Sequence, residues 1–371
     1  MSTNTYRVPY IDLPGEFSLF AERLTGRFRD ICSRGQYILR DEVQELETRT
    51  AAYLGVRHAI GVGNGSDALL LALKALGIGP GDEVITVAHT FVATLAAIHF
   101  CGATPVLVDI GADHNLDPTR LAAAITPATR VVLPVHLNGR CCDMQALQAI
   151  CRAHGLDIVE DAAQAFGSRF QSRHAGSFGR LGCFSLHPMK VFHALGDAGL
   201  VVTDDDELAS RIRLLRNHGH QSKEKILGYG FNSRLDNLQA GFLLEFFDHL
   251  DTWLQRRREI AAHYQQRLAG LQGIQLPPPP APGEYFDTYS SYVIRSSRRN
   301  ALRNYLLHEC GIEVFSHWDP PLHRQAALGL SAWHLPRTDE LAAEVLSLPI
   351  HPGLNDDQLA FVADCIRAFH G

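Results

Sequence analysis

Residues 158–203 read IVEDAAQAFGSRFQSRHAGSFGRLGCFSLHPMKVFHALGDAGLVVT. The apolar run from Leu156 to Val159 predicts a strand that delivers two acids, Glu160 and Asp161, at its carboxyl end. Lys190 follows in a turn-like segment among apolar, aromatic and histidine side chains, and Gly199 to Thr203 is strand-like again. Open α/β sheets present their working residues just beyond the carboxyl ends of strands, so a strand-end acid followed by a loop lysine makes this stretch the centre of the chain.

Outward from it the same alternation repeats. His58 to Ile85, HAIGVGNGSDALLLALKALGIGPGDEVI, passes from a short apolar run through a glycine loop into a nearly all-apolar helix, then through Gly77, Gly79, Pro80 and Gly81 to a strand at Glu83 to Val87. Further strands are expected at Thr104 to Val108 and Val131 to Val135, with helices at Leu116 to Ile125 and Met144 to His154. This is the pattern of a mostly parallel sheet flanked by helices, an α/β fold. Asn64, Gly65, Ser66, His89, Thr90 and Phe91 fall at strand ends beside Asp161. Upstream, an irregular arm punctuated by Pro9, Pro14 and Gly15 leads to a short helix, and Val43, Leu46 and Leu54 mark an amphipathic helix ending at Gly55.

Downstream, a helix is expected from Glu207 to Asn217 and a long helical region from Asn237 to about Leu268. Pro277 to Pro280 excludes helix interior and central strand. A strand at Tyr289 to Arg295 and helices at Arg298 to Glu309, near Thr338 to Ser347 and at Asp356 to Phe369 then predict a smaller α+β unit. The expected domains are 1–245, large and carrying the arm, and 246–371, small and C-terminal.

A chain of 371 residues favours two domains at about 150 residues each. The net charge of −6 comes without any basic block, so small molecules are expected as partners, with no nucleic acid and no anionic membrane. The N-terminal residues lack a signal-peptide pattern, and no apolar run reaches about 18 residues. The eight cysteines form no CxxC pair, which predicts reduced thiols in a cytoplasmic protein and no metal centre. Only four of the 34 basic side chains are lysines: Lys74, Lys190, Lys223 and Lys225. Arginine has no nucleophilic primary amine and forms no Schiff base, so each lysine merits a question.

The loop Gly61-Val62-Gly63-Asn64-Gly65-Ser66 invites a dinucleotide reading, but the G-x-G-x-x-G fingerprint needs glycine where Ser66 stands. Free backbone N–H groups, a hydroxyl and a helix N-terminus suit a single phosphate instead. Pyridoxal 5′-phosphate (PLP) chemistry needs an amine to hold the aldehyde and move protons, and a carboxylate to keep the pyridine nitrogen protonated. Lys190 and Asp161 supply both. Taken alone, Asp161 equally suits a helix N-cap and Lys190 a surface position.

The segments VEDAAQAFG (159–167), CFSLHPMK (183–190), ALGDAGLVVT (194–203), NHG (217–219) and GYGFNSRLDNLQA (228–240) resemble those of the DegT/DnrJ/EryC1/StrS family of sugar aminotransferases. The resemblance extends from RGQYILRDEV (34–43) through GNGSDALLLAL (63–73) and PVHLNG (134–139) to LSLPIHPGL (346–354). It implies a fold type I PLP enzyme: a large domain with a mostly parallel seven-stranded sheet flanked by helices, and a smaller C-terminal α+β domain. Lys190 would be the Schiff-base lysine, and Asp161 would pair with the pyridinium nitrogen. Gln164 would bond the phenolic oxygen, Phe91 would stack on the ring, and Gly65, Ser66 and Ser185 would hold the phosphate. Asn232 would reach the phosphate from the neighbouring subunit, which implies a homodimer with shared active sites.

On the substrate side, Arg234 is a candidate for a carboxylate, since its fork matches that geometry, or else for a structural ion pair. His317 and Trp318 fall where the family commonly carries His-Tyr lining the sugar site, with His323 nearby. Three features depart from the family: Asn138 for a frequent tyrosine, Arg40-Asp41 for a Gly-Pro-like pair, and Trp318. Lys223 or Lys225 is expected to help bind a nucleotide or phosphate across the dimer interface, with a solvated loop as the alternative. The implied reaction moves an amino group from L-glutamate to a keto-sugar, nucleotide-linked, with the cofactor cycling between PLP and pyridoxamine 5′-phosphate (PMP). GNGSDAL is similar to the GNGTDAL of members acting at the sugar 3-position, which favours a 3-keto acceptor. A non-nucleotide keto-sugar or keto-cyclitol acceptor, and a regulatory protein on the same fold, are the alternatives; Lys190 argues against the family's dehydratases, which carry histidine there.

Overall fold

A computed structural model describes residues 6–371; the first five residues, part of the expected arm, lie outside the described residues. Seven strands form the main sheet: β1 (His58–Val62), β2 (Glu83–Val87), β3 (Thr104–Val108), β4 (Thr129–Val132), β5 (Asp157–Asp161), β6 (Leu181–Ser185) and β7 (Gly199–Thr203). Their order is β1-β7-β6-β5-β4-β2-β3. The pairs β2–β3, β2–β4, β4–β5 and β5–β6 are parallel, and β7 runs antiparallel to both of its neighbours. The mostly parallel seven-stranded sheet expected from the sequence is the one formed. Nearly every residue of β1, β5, β6 and β7 is buried, as strands are when helices cover both faces of a sheet.

The flanking helices are α1 (Leu13–Arg34), α2 (Asp41–Leu54), α3 (Gly65–Ala75), α4 (Val92–Cys101), α5 (Pro118–Ala124), α6 (Met144–His154), α7 (Asp206–Leu215) and α8 (Asn237–Phe247). The first is not the short helix that Pro14 and Gly15 suggested but runs for 22 residues. Proline fits a helix's first turn, where its missing N–H has no partner to lose, and Asp12 caps the end by accepting from the Gly15 N–H at 3.0 Å. Phe20, Leu24 and Ile31 make its buried stripe. Glu42 then ties three helices together through Arg34 and the Asn237 carboxamide.

Three more helices, α9 (Leu250–Leu268), α10 (Arg299–Asn304) and α11 (Pro336–Glu344), precede the last, α12 (Asp356–His370). The helical region expected from Asn237 is thus broken at Asp248 and His249. The helix expected to run to Ser347 stops at Glu344, because Val345–Leu348 forms a strand instead. With β8 (Ile274–Gln275), β9 (Tyr292–Ser296) and β10 (Val345–Leu348), a second sheet has the order β8-β9-β10. All four residues of β10 are buried, and that packing overrides the local helical preference.

Two hydrophobic cores result. The larger surrounds the main sheet. The smaller gathers Val8 from the arm, Ile260 and Tyr264 of α9, Tyr292 and Ile294 of β9, and Val362 and Ile366 of α12. Helix α9 serves both, giving Leu250, Trp253 and Leu254 to the first.

Candidate active site

The last residue of β5 is Asp161, 4% exposed. Thr94, in the first turn of α4, donates its hydroxyl to Asp161 Oδ2 at 2.8 Å, and the Ala163 N–H donates to Oδ1 at 3.2 Å. The Thr94 hydroxyl also lies 2.7 Å from that of Thr90. Burial raises the Asp161 pKa, while these hydrogen bonds and the charge of Lys190 oppose the rise. Glu160 points to the other face of the strand, as alternation requires. Its carboxylate accepts from Gly176 N–H at 2.7 Å, Gly179 N–H at 2.6 Å and His136 Nε2 at 2.7 Å. His136 Nδ1 accepts from the Cys142 N–H at 3.0 Å, so the ring proton sits on Nε2 and donates to Glu160. Of the two adjacent acids, Glu160 is a structural anchor and Asp161 is the one presented at the sheet's working edge.

The loop after β1 packs onto the ends of β6 and β7. Gly199 pairs with both Val62 and Ser185. A Cβ at Gly65 would lie 2.6 Å from Ser185 Cβ, and one at Gly199 would lie 2.4 Å from the Asn64 carbonyl oxygen. Glycine at both positions is what lets these backbones meet. Asn64 caps α3 by accepting from the Asp67 N–H at 2.8 Å; the Gly65 and Ser66 N–H groups, at the start of α3, belong to the first-turn donors without helical acceptors. With half-buried Ser185 packed against Gly65 and exposed Ser66 next in the chain, they gather donors at a helix N-terminus, a setting suited to an anion.

Lys190 sits in the β6–β7 connection. Leu186 N–H donates to Ala198 O at 2.8 Å, Ala194 N–H to Leu186 O at 2.7 Å, and Lys190 N–H to His187 O at 2.8 Å. The turn carrying the lysine is therefore pinned at both ends and within. Burial lowers the Lys190 pKa, and Asp161 partly restores it. Gln164 follows β5 three residues after Asp161, its Oε1 accepting from the Asn138 N–H at 2.9 Å. A backbone N–H only donates, so the acceptor must be Oε1, and Nε2 is left to donate elsewhere. Phe91, 55% exposed at the end of the β2–α4 loop, has its ring centroid 5.9 Å from that of Trp318.

The remaining candidates divide. His317 is half-buried, its pKa lowered to about 4 by burial and by the charge of Lys190. Asn232 is exposed, and Arg234 donates to Asn217 Oδ1 at 3.3 Å with its Nε buried and unpartnered. Lys223 and Lys225 lie in an exposed loop. His323 is fully buried, with Nε2 3.0 Å from Asp339 Oδ1, so it is not brought to the mouth where His317 and Trp318 stand. Asn138 adopts φ 58° and presents its N–H, not its side chain, to Gln164.

The DegT/DnrJ/EryC1/StrS aminotransferase family model matches residues 20–367. The chain belongs to this family. Among its relatives, the dTDP-3-amino-3,4,6-trideoxy-alpha-D-glucose transaminase of Streptomyces venezuelae is 43% identical over 98% of this chain and 96% of its own. A protein of Geobacillus stearothermophilus named pleiotropic regulatory protein is 40% identical over 98% of both chains. The solved structure of S. venezuelae DesV in complex with a ketimine intermediate superposes with a TM-score of 0.95 at 43% identity, covering 99% of each chain. This family member therefore shares fold and length with known aminotransferases.

Sequence reading missed three residues that the structure brings against the candidate site residues. Thr94 holds Asp161, Tyr10 of the arm reaches His317, and His114 packs its ring 6.2 Å from that of His89. Thr94 ends the segment HTFVAT at 89–94, but a threonine at the start of an apolar helix reads as packing. No local pattern marks Tyr10 or His114.

Proposed function

We propose that this aminotransferase uses PLP to move an amino group from L-glutamate to a nucleotide-linked 3-keto sugar, and that it works as a homodimer. The observation that carries the proposal is the buried Asp161 within charge–charge reach of the lysine of a pinned turn. The donors at the start of α3 make a cradle that fits a phosphate, Asp161 fits a pyridinium nitrogen, the free Gln164 Nε2 fits a phenolic oxygen, and exposed Phe91 fits a ring face. When bound, PLP supplies an electron sink that stabilises negative charge at the carbon next to the transferred nitrogen. The chain's part is to keep the Asp161 carboxylate ionised through Thr94 and Ala163, and to hold Lys190 as a base of lowered pKa that moves a proton in each half of the reaction.

The 3-amino product named for the Streptomyces relative, and the similarity of GNGSDAL to the loops of 3-acting members, support a 3-keto acceptor. Arg234, whose guanidinium retains unpartnered donor capacity, suits a donor carboxylate. Asn232, Lys223 and Lys225 are exposed on their own chain, and we assign them to the site of a partner subunit. Eight unpaired cysteines fit a reducing, cytoplasmic setting, and the two hydrophobic cores support a domain division near residue 245.

The test is to load purified protein with PLP, follow loss of its visible absorbance on adding L-glutamate, and look for recovery with a panel of dTDP- and UDP-linked keto-sugars. Borohydride reduction should fix the cofactor to wild type and not to Lys190→Ala. The name of the Geobacillus relative favours a second reading, a regulator; absence of both the absorbance and the glutamate response would support that reading and sink ours.

A further inference from the structure

We propose that Tyr10 is a positioning residue: it orients His317 for the acceptor half of the reaction, an assignment that rests on the aminotransferase reading above. The arm that carries it is built into the small core. Val8 is fully buried and bridges Ile312 in parallel. Its N–H donates to Gly311 O at 3.2 Å, and its carbonyl accepts from Glu313 N–H at 2.9 Å. Two residues on, the Tyr10 N–H donates to Glu313 Oε2 at 2.9 Å. Residues 8–10 are thus clamped along the segment that leads to His317.

The side chain of Tyr10, 8% exposed, continues the connection. Its ring meets Phe315 edge-on with centroids 4.7 Å apart, and Phe315 in turn stacks on His317 at 5.9 Å and 17°. The Tyr10 hydroxyl lies 3.4 Å from His317 Nε2 and 3.3 Å from Ser291 Oγ. The phenol has one proton, and the geometry directs it to Ser291 Oγ, so towards His317 the phenolic oxygen accepts. His317 Nε2–H therefore donates to Tyr10 while Tyr10 donates to Ser291. A neutral imidazole carries one N–H, so this fixes it on Nε2 and leaves Nδ1 an acceptor.

His317 is followed by Trp318, whose ring stands beside Phe91 at the mouth of the site. An unprotonated Nδ1 held at that mouth is a neutral acceptor, suited to a sugar hydroxyl. It offers no charge to the carboxylates of glutamate, for which Arg234 is the candidate. The two halves of the reaction should therefore feel Tyr10 differently.

Tyr10→Phe keeps the ring and its packing while removing the hydroxyl. The donor half is read as loss of the cofactor's visible absorbance with L-glutamate. The acceptor half is read in reverse with dTDP- and UDP-linked 3-amino sugars, beginning with dTDP-3-amino-3,4,6-trideoxy-α-D-glucose. The expected result is an acceptor-half kcat/KM reduced about three- to tenfold, mostly through KM, as for one neutral hydrogen bond, with the donor-half rate retained. In a His317→Ala background the same substitution should add no further loss. Equal slowing of both halves, no change in either, or an undiminished effect without His317 would overturn the assignment alone. A wild type that fails the donor half overturns the aminotransferase reading, and one that accepts no amino sugar of the panel overturns the sugar-acceptor reading together with this assignment.

Discussion

Thr94 governs how tightly the acid of the site is held. Its hydroxyl donates to a carboxylate at 2.8 Å inside the protein, and a hydrogen bond to a charged group contributes about 1.5–3 kcal/mol. Thr94→Val, nearly isosteric, should leave Asp161 readier to take up a proton and weaken PLP binding about tenfold or more, measured by titrating the visible absorbance. An unchanged Kd would reduce Thr94 to packing. His89, His114 and His317 give a second expectation. Burial, with His114 and His317 adding to it, pushes His89 down to about 3; burial and Arg295 push His114, and burial and Lys190 push His317, each to about 4. Their unfolded value is near 6.5, so between about pH 6.5 and pH 4 the unfolded chain binds protons that the folded one refuses. Stability is then fully present above pH 6.5 and falls as pH drops through that window. Thermal midpoints measured from pH 8 to pH 4 should show this decline, and His89→Gln should flatten it. Asp161 and Lys190 were legible in the sequence because few residue types can do their chemistry. Thr94 was not, since a threonine in an apolar helix reads as a space-filler.

At the scale of elements, alternating strand and helix was readable because burial on both faces forces nearly continuous apolar strands, and because glycine loops mark their ends. The misses have physical causes. Helix α1 hid behind a proline that suits its first turn, and β10 took its conformation from pairing with β9. What the pattern could not give was the nesting of the β1–α3 loop onto β6 and β7, since that contact depends on strands far apart in sequence. Gly65 is helical, so alanine there is not strained in φ, but its Cβ would lie 2.6 Å from that of Ser185. Overpacking of this kind costs about 1–3 kcal/mol, and relief by movement would pull the loop off the serine. Gly65→Ala should therefore fold with a modestly lowered thermal midpoint and lose most of its PLP affinity. Retained affinity would show that the cradle tolerates a wider gap than its packing suggests.

The whole molecule presents a loop that its own chain does not cover. Between Asn217 and Asn232, Ile226 is 62% exposed, Leu227 52% exposed and Tyr229 wholly exposed, and apolar side chains gathered at a surface mark an interaction site. Asn232 ends this loop with its side chain in the open. In a two-fold dimer each subunit offers the other the same surface, so a residue that completes its partner's phosphate cradle would be exposed in the single chain. This has a consequence that mixing experiments read directly. Lys190→Ala removes the amine, and Asn232→Asp sets a negative charge against the phosphate; each homodimer should be inactive or nearly so. In a hybrid of the two, one site combines both defects and the other combines an intact Lys190 with an intact Asn232 from the partner. Random mixing makes half the dimers hybrids, so activity should recover to about a quarter of the wild-type sites. If Asn232 served its own subunit, each hybrid site would keep one defect, and the mixture would stay as inactive as its parents.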